Sequence, residues 1–470
     1  MTVDTFVDSY DGSCADGDCS LRDAVASASP GDAVGLPAGF YQLTLTGTGG
    51  VGIGDVDIGS DITLIGIGDT GTFVTATLLG DRAFHVASGI TAAFERITII
   101  GGTTDGRGGA IAIETGADVT VEHVTIASSS ARNGGAIAAT DATLRLRRST
   151  LTGNEAVARG GGISTHGTTQ LDVLASTIES SRAASGAGIW AGSDAALSIE
   201  RSTIARNDAD RGGGIATRAG TARIGHSTIA RNTAVAGAAV AAYAEVVFDG
   251  SLVAANRSAQ GRPCAGTFRS RGRNVGTRGT SSCGLERASD LIVRDAGLGP
   301  LAGAGGPTPT VALRPSSPAI DVGPDCEERD QRGVRRDRRC DAGAYELRRC
   351  LGRIVNVVGT RHDDELSGGR RADGILGQAG DDGLQGSIGD DGICGGVGND
   401  IVLGGPGDDR IKGGPGDNRL RGERGDDRLR GGGGRNLLAG GPGRDVCLVI
   451  GNDRTRSCEV VRELPETVIG

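Results

Sequence analysis

Residues 134–163 read GGAIAATDATLRLRRSTLTGNEAVARGGGI, a stretch that begins on GGAI and ends on the near-identical GGGI. GGAI also stands at 108–111, GAGI at 186–189 and GGGI at 212–215, so the closing isoleucines fall at 111, 137, 163, 189 and 215, each 26 apart. Between them recurs a second phrase: VTIA at 124, STLT at 149, STIE at 176, and STIA at 202 and 227. Two short β-prone segments per repeat cannot bury a face alone, but stacked in register they can. Each coil then adds strands parallel to those below, with Ile, Val, Leu and Ala as internal ladders. Parallel crossovers are right-handed, so the spacing predicts a right-handed parallel β-helix over residues 32–260. The glycine pairs are expected at turns that need positive φ or close approach. Ser-Thr-Ile phrases with this much Gly make poor helices.

Composition agrees with a layered core of small aliphatics. Gly accounts for 84 of 470 residues, and aromatic residues for only 3%. The net charge of −9 makes nucleic acid a poor partner and cations better ones. No apolar run approaches the ~20 residues of a membrane helix. The start, MTVDTFVDSY, lacks the basic and apolar regions of a signal peptide. Ten cysteines fall in near pairs, Cys14 with Cys19, Cys264 with Cys283, Cys326 with Cys340 and Cys447 with Cys458, leaving Cys350 and Cys394. No C-x-x-C spacing is present, which points to disulfides and an extracellular, secreted or surface setting.

An open β-helix end exposes strand edges and needs a cover. CSLRDAVASASPG, 19–31, supplies one: Ser20 can cap a helix with Asp23 three residues on, Leu21 and Val25 share a face, and Pro30-Gly31 stops it. CSLRDAV resembles the CSLREA motif at the front of bacterial surface β-helix proteins. LGPLAGAGGPTPTVALRPSSPAIDVG (298–323), DQRGVRR (330–336) and DAGAYE (341–346) are similar to the end of the choice-of-anchor β-helix domain. The resemblance covers about residues 1–347 and implies secretion or surface attachment, with no assigned activity. The organisation expected is a cap at 1–31, the β-helix at 32–260, its closing segment at 261–347, a different array at 348–448 and a disulfide-closed tail at 449–470.

From Gly359 to Leu448 the chain divides into ten nine-residue units, best seen in GGVGNDIVL and GGPGDDRIK. A large apolar residue returns at Leu366, Ile375, Leu384, Ile393, Val402, Ile411, Leu420, Leu429 and Leu438, with Cys447 in the last unit. The array resembles the RTX, or haemolysin-type, calcium-binding repeat, which implies a parallel β-roll and Ca2+ as cofactor. Two units make one coil, so sixth-position acids return to the same edge every 18 residues. Calcium takes six to eight hard oxygens; backbone carbonyls and two such side chains can supply them. Even units carry Asp373, Asp391, Asp409, Asp427 and Asp445; odd units carry Asp364, Asp382 and Asp400, then Asn418 and Asn436. The eight of these aspartates in both sets are the expected metal ligands, with better sites along the even edge.

Parallel β-helices often host polysaccharide lyases, hydrolases and epimerases. The epimerase DPH and polygalacturonase NTD and GHG phrases are absent, and GHS at 225–227 is a weak echo. His123, His166 and His226 are expected as surface residues. Trp190 should face outward beside Tyr243, as a packing residue, and the outward Arg145, Arg147, Arg201, Arg206 and Arg231 as a solvated face. The reading is a calcium-binding surface protein that adheres to a cell-surface or matrix glycan without catalysis; the alternative is a lyase or epimerase acting on an anionic glycan.

Overall fold

In this computed structural model, residues 1–15, 17–47, 52–323 and 329–465 are described, side chains excepted at 68–70. Two compact units emerge. The first is Met1–Leu301 with Pro307–Gln331 and Arg335–Glu346; the second is Ala302–Gly306, Arg332–Val334 and Leu347–Gly470.

The first unit is a right-handed parallel β-helix. One coil runs through strands Thr143–Arg147, Thr150–Thr152, Glu155–Arg159 and Ile163–His166. Four strands per coil thus replace the two β-prone phrases visible in sequence. The first two belong to one large bent sheet, the third to a six-stranded and the fourth to a nine-stranded sheet among the described residues. All stack parallel with like over like: Leu144 on Leu171, Leu151 on Ile178, Ile137 on Ile163. These inward residues are fully buried, each contributing about 1.5–3 kcal/mol. Two phenylalanine pairs stand toward the ends of the stack, Phe84 against Phe94 and Phe248 against the half-buried Phe268.

Three corners shape each coil. Glycines such as Gly160 (φ 64°) make one turn, and a Cβ there would lie 2.1 Å from the Ile163 carbonyl oxygen. The other two corners often use non-glycine residues in the left-handed region, including His123 before Val124 and Arg148, Ala175, Arg201 and His226 before the serine, and Ser128, Ser180, Arg206 and Arg231 before the next strand. Side-chain ladders hold these bends. The Ser176 hydroxyl accepts from Ser149 N (3.2 Å), and Ser202 Oγ from Ser176 N (3.1 Å). Asn207 Oδ1 accepts from Ser181 N (2.9 Å), while its Nδ2 donates to the Ile178 carbonyl (3.0 Å).

The helix Leu21–Ser27 begins at Ser20 with the reciprocal Ser20–Asp23 capping box, and Leu21 and Val25 are buried. Beside it, Arg22 pairs with Asp8 at 2.6 Å with both side chains buried. The closing segment returns over the outward threonines of the Ser-Thr-Ile phrases. Thr177 Oγ1 donates to Pro309 O (2.5 Å), Thr203 Oγ1 to Gln331 Oε1 (2.7 Å), and Thr228 Oγ1 accepts from Ala344 N (2.9 Å). A buried Arg336–Glu346 pair (3.0 Å) braces it. Serine at the corner, threonine outward and isoleucine inward therefore have three separate jobs.

The second unit contains a β-roll whose two sheets hold seven and six strands among the described residues. Register is 18 residues, with Ile375 on Ile393 in one sheet and Leu384 on Val402 in the other. Even-unit apolar residues line the first sheet and odd-unit residues the second, forming one thin buried core that runs from Ile375 to Cys447 and Val449.

Disulfides join Cys14 to Cys19, Cys264 to Cys283, Cys447 to Cys458, and the two left-over residues, Cys350 to Cys394. Cys340 is disulfide-bonded, and Cys326 lies outside the described residues.

Candidate functional site

The sixth-position side chains form two ladders, one along each edge of the roll. From the second coil on, each uses one oxygen to receive the backbone N–H of the unit 18 residues earlier: Asp391 Oδ1 from Asp373 N (2.7 Å), Asp409 Oδ1 from Asp391 N (2.8 Å), Asp427 Oδ1 from Asp409 N (2.8 Å). On the odd edge, Asp382 receives Asp364 N (2.9 Å) and Asp400 receives Asp382 N (3.1 Å). The fifth-position residues run the opposite way at the surface, for example Asp408 N to Asp390 Oδ1 (3.1 Å). Each acidic pair is therefore fixed from both sides.

The second oxygen has no such partner. Oδ2 of Asp382, Asp391, Asp400, Asp409, Asp427 and Asp445 is buried and accepts no hydrogen bond. A buried carboxylate oxygen without a partner costs several kcal/mol in a dry protein interior, so these six atoms require a proton or a cation. Burial pushes the carboxyls of Asp382, Asp391 and Asp427 up to about 6, and that of Asp409 up to about 8. The backbone hydrogen bond opposes this shift, and neighbouring acids add to it. Asp400 and Asp445 are raised for the same leading reason.

Asn418 shows what surrounds that second position. Its Nδ2 donates to the carbonyls of Gly414 and Gly416, both at 3.1 Å, and to Asn436 Oδ1 at 2.8 Å. In the aspartate units the repeat puts an oxygen where this amide nitrogen stands. Oxygen then faces carbonyl oxygens, a donor set suited to a hard cation. Asn436 Nδ2 likewise meets Gly432 O (3.5 Å) and Asp453 Oδ1 (2.7 Å). Asp364 and Asp373, in the first coil, differ. Their Oδ2 atoms accept from Thr360 N and Gly369 N, each at 2.6 Å. The even edge thus carries four unpartnered oxygens and the odd edge two.

The β-helix places the other sequence candidates differently. Trp190 faces outward but is 7% exposed, packed beside Ala216 and Ala241 under the Arg159 guanidinium. His123 and His226 occupy left-handed corners. His226 is buried rather than a surface residue, and its ring nitrogens accept or donate no hydrogen bond. His166 Nε2 meets Ser164 Oγ at 3.1 Å. Arg145 and Arg206 pair with Asp118 and Glu179, and Arg231 donates to the Gly299 carbonyl (2.6 Å). One cluster was not visible in sequence: Arg223 reaches Glu200 and Asp249, each at 3.3 Å, with Arg273 on Asp249 at 2.9 Å and His226 beside Glu200 at 3.8 Å. Near the front, Asp55, Asp57 and His85 gather on one face, with His85 Nδ1 2.8 Å from Asp57. Neither group has a contiguous signal, because coil stacking brings together residues about 26 apart.

A chain with stacked parallel coils followed by a nonapeptide roll is a right-handed β-helix protein with calcium-binding repeats. Residues 88–266 match the family described as right handed beta helix region, and 358–393, 395–429 and 412–447 match the RTX calcium-binding nonapeptide repeat. No curated protein matches the chain in sequence. Among solved structures, pectate lyase Pel9A is similar at 12% identity and TM-score 0.37, over 70% of this chain and 91% of that one. The PL6 family alginate lyase AlyGC is similar at 10% identity and TM-score 0.19, over 94% of this chain and 74% of that one.

Proposed function

We propose that this is a secreted or surface-held binding protein whose C-terminal array folds around calcium held by the sixth-position aspartates. Asp382, Asp391, Asp400, Asp409, Asp427 and Asp445 are the principal ligands, with glycine carbonyls completing the set; Asp364 and Asp373 contribute at the first coil. The observation that carries the reading is the row of six buried Oδ2 atoms without a partner. Bound calcium neutralises them, and part of its binding free energy becomes folding free energy. The chain's own residues do the rest: Oδ1 fixes each carboxylate to the next coil, and the apolar row excludes water. The disulfides and the CSLREA-like and choice-of-anchor-like phrases support an oxidising, extracellular setting. Calcium is scarce in cytosol and abundant outside, so such an array suits a chain that orders after export. Equilibrium dialysis of the full-length protein tests the ligand set. Asp391→Asn with Asp409→Asn is expected to lower calcium uptake; unchanged uptake refutes it.

The second reading, a lyase acting on an anionic glycan, rests on the Glu200–Arg223–His226–Asp249 cluster. Its carboxylates are already neutralised by arginine, which favours a structural role. Release of unsaturated product from polyuronate, abolished by Arg223→Gln, would support catalysis; no product from the wild-type protein excludes it for that substrate.

A further inference from the structure

Within the β-helix the phrase Arg-Gly-Gly occurs at 107, 159 and 211, each 52 residues apart and therefore at every second coil. Parallel register places all three on one ladder: Arg107 bridges Asn133, Asn133 pairs with Arg159, Arg159 with Ser185, and Ser185 with Arg211. Each arginine then lies across the outer face of the nine-stranded sheet and touches the coil above. Arg107 Nη1 donates to Thr140 Oγ1 (2.8 Å), Arg159 stacks over Trp190 (4.5 Å), and Arg211 stacks over Tyr243 (4.7 Å). From the other side of the strand, Arg218 stacks over the same Tyr243 ring at 4.6 Å. The strand floor between them is small and buried: Ala112, Ala138, Ala216 and Ala241.

What sets this stripe apart from the other β-helix arginines, among the described residues, is the aromatic ring under Arg159, Arg211 and Arg218; exposed arginines without an ion pair also stand elsewhere, as at Arg132, Arg147 and Arg182. Arg145, Arg148 and Arg206 each face a carboxylate one coil away. Arg159, Arg211 and Arg218 are exposed and carry no ion pair or side-chain hydrogen bond among the described residues; Arg107 alone has an acid nearby, Glu114 at 3.8 Å. An aromatic ring occupies one face of the Arg159, Arg211 and Arg218 guanidinium groups and fixes their planes, which leaves the N–H edge free for bidentate contact with carboxylate.

We propose that this row is the docking track for an extended acidic polysaccharide carrying one carboxylate per disaccharide and lying along the axis of the β-helix. Two strand spacings put successive arginines about 9–10 Å apart, comparable to the advance of an extended disaccharide. The phosphates of nucleic acid are far denser, at roughly one charge per 3.4 Å of strand, and would meet the acidic remainder of the chain. The proposal rests on the reading of the β-helix as a binding scaffold; it does not depend on the calcium sites.

The test uses full-length protein in calcium buffer at low salt, with a fluorescent hyaluronan oligosaccharide as probe and a neutral chitin oligosaccharide as control. Hyaluronan is expected to bind, to be released by salt, and to bind about tenfold or more weakly to the Arg159→Gln/Arg211→Gln/Arg218→Gln variant. The Arg145→Gln/Arg201→Gln variant, altered on another face, is expected to bind as the wild type does. Melting and calcium titration of the same samples report folding separately, so that loss of binding with an intact calcium response is specific to the track. Should the triple variant not fold, Arg218→Gln, whose partner Tyr243 is exposed, is expected to lower affinity several-fold. No hyaluronan binding by the wild-type protein, equal binding of the chitin oligosaccharide, unchanged binding by the folded arginine variants, or stronger arginine-dependent binding of duplex DNA would each overturn the proposal.

Discussion

At the scale of single residues, the difference between Asp and Asn in the sixth position is the difference between a buried oxygen without a partner and a self-contained turn. Asn418 carries its own donor to Gly414 and Gly416, whereas Asp409 presents a bare oxygen. Asn418→Asp is therefore expected to raise the calcium stoichiometry measured by calorimetry. It should also destabilise the chelated protein by about 1–3 kcal/mol, the cost of an unsatisfied buried polar group. The nature of this residue was legible in sequence, since loss of charge could be read from the letter alone. The amide's grip on two carbonyls was not, because it depends on a closure four residues long in three dimensions. Proton linkage follows from the same atoms. Folded carboxyls at about 6 for Asp391 and about 8 for Asp409 stand above the unfolded value near 4. Without calcium the folded roll binds more protons than the unfolded chain, so its stability is greatest near pH 4 and is lost as pH rises toward about 8. With saturating calcium the carboxylates must be ionised, and the trend reverses. Thermal melts across this range, with chelator and with calcium, are expected to show opposite slopes.

At the scale of elements, each coil depends on ladders that link it to its neighbours. The Asn207 side chain accepts from Ser181 N and donates to Ile178 O and Asn232 Oδ1. Asn207→Ala is expected to cost about 1–3 kcal/mol through the backbone groups it strands, and Ile204→Ala about 2–5 kcal/mol through the cavity it leaves in the fully packed stack. Denaturant unfolding of each variant measures both. The closing segment offers a sharper case. Gln331 alone serves Thr177, Thr203 and Thr308, so Gln331→Ala is expected to raise hydrogen exchange in 307–323 and 329–346 before the coils themselves loosen. The 26-residue period and the inward isoleucines could be read directly, because like stacks on like. Two of the four strands per coil could not. Glu155–Arg159 has weak β-propensity and is fixed by its neighbours above and below. The left-handed corners at Arg148 and His226 carry no glycine to announce them. Trp190 shows the same limit: strand alternation gave its direction, but the guanidinium that covers it comes from 31 residues away.

At the scale of the whole molecule, two repeat solenoids solve the same problem by different means. The β-helix buries continuous aliphatic ladders along its length. The roll has one apolar residue per nine and places acids where a wider core would stand, so its order depends on what neutralises them. Residues 359–409 hold eleven acids and three bases, whereas 410–448 hold five acids and nine bases. The front of the roll should therefore respond to calcium most. The measurement that tests this directly is a calcium titration of the full-length protein followed by circular dichroism and calorimetry together, starting from chelator. The expected result is a cooperative gain of β-signal with uptake of several ions, reduced in the Asp391→Asn/Asp409→Asn variant, while the β-helix signal stays constant. Equal β-signal and equal melting in chelator and in excess calcium, with no heat of binding, would contradict it.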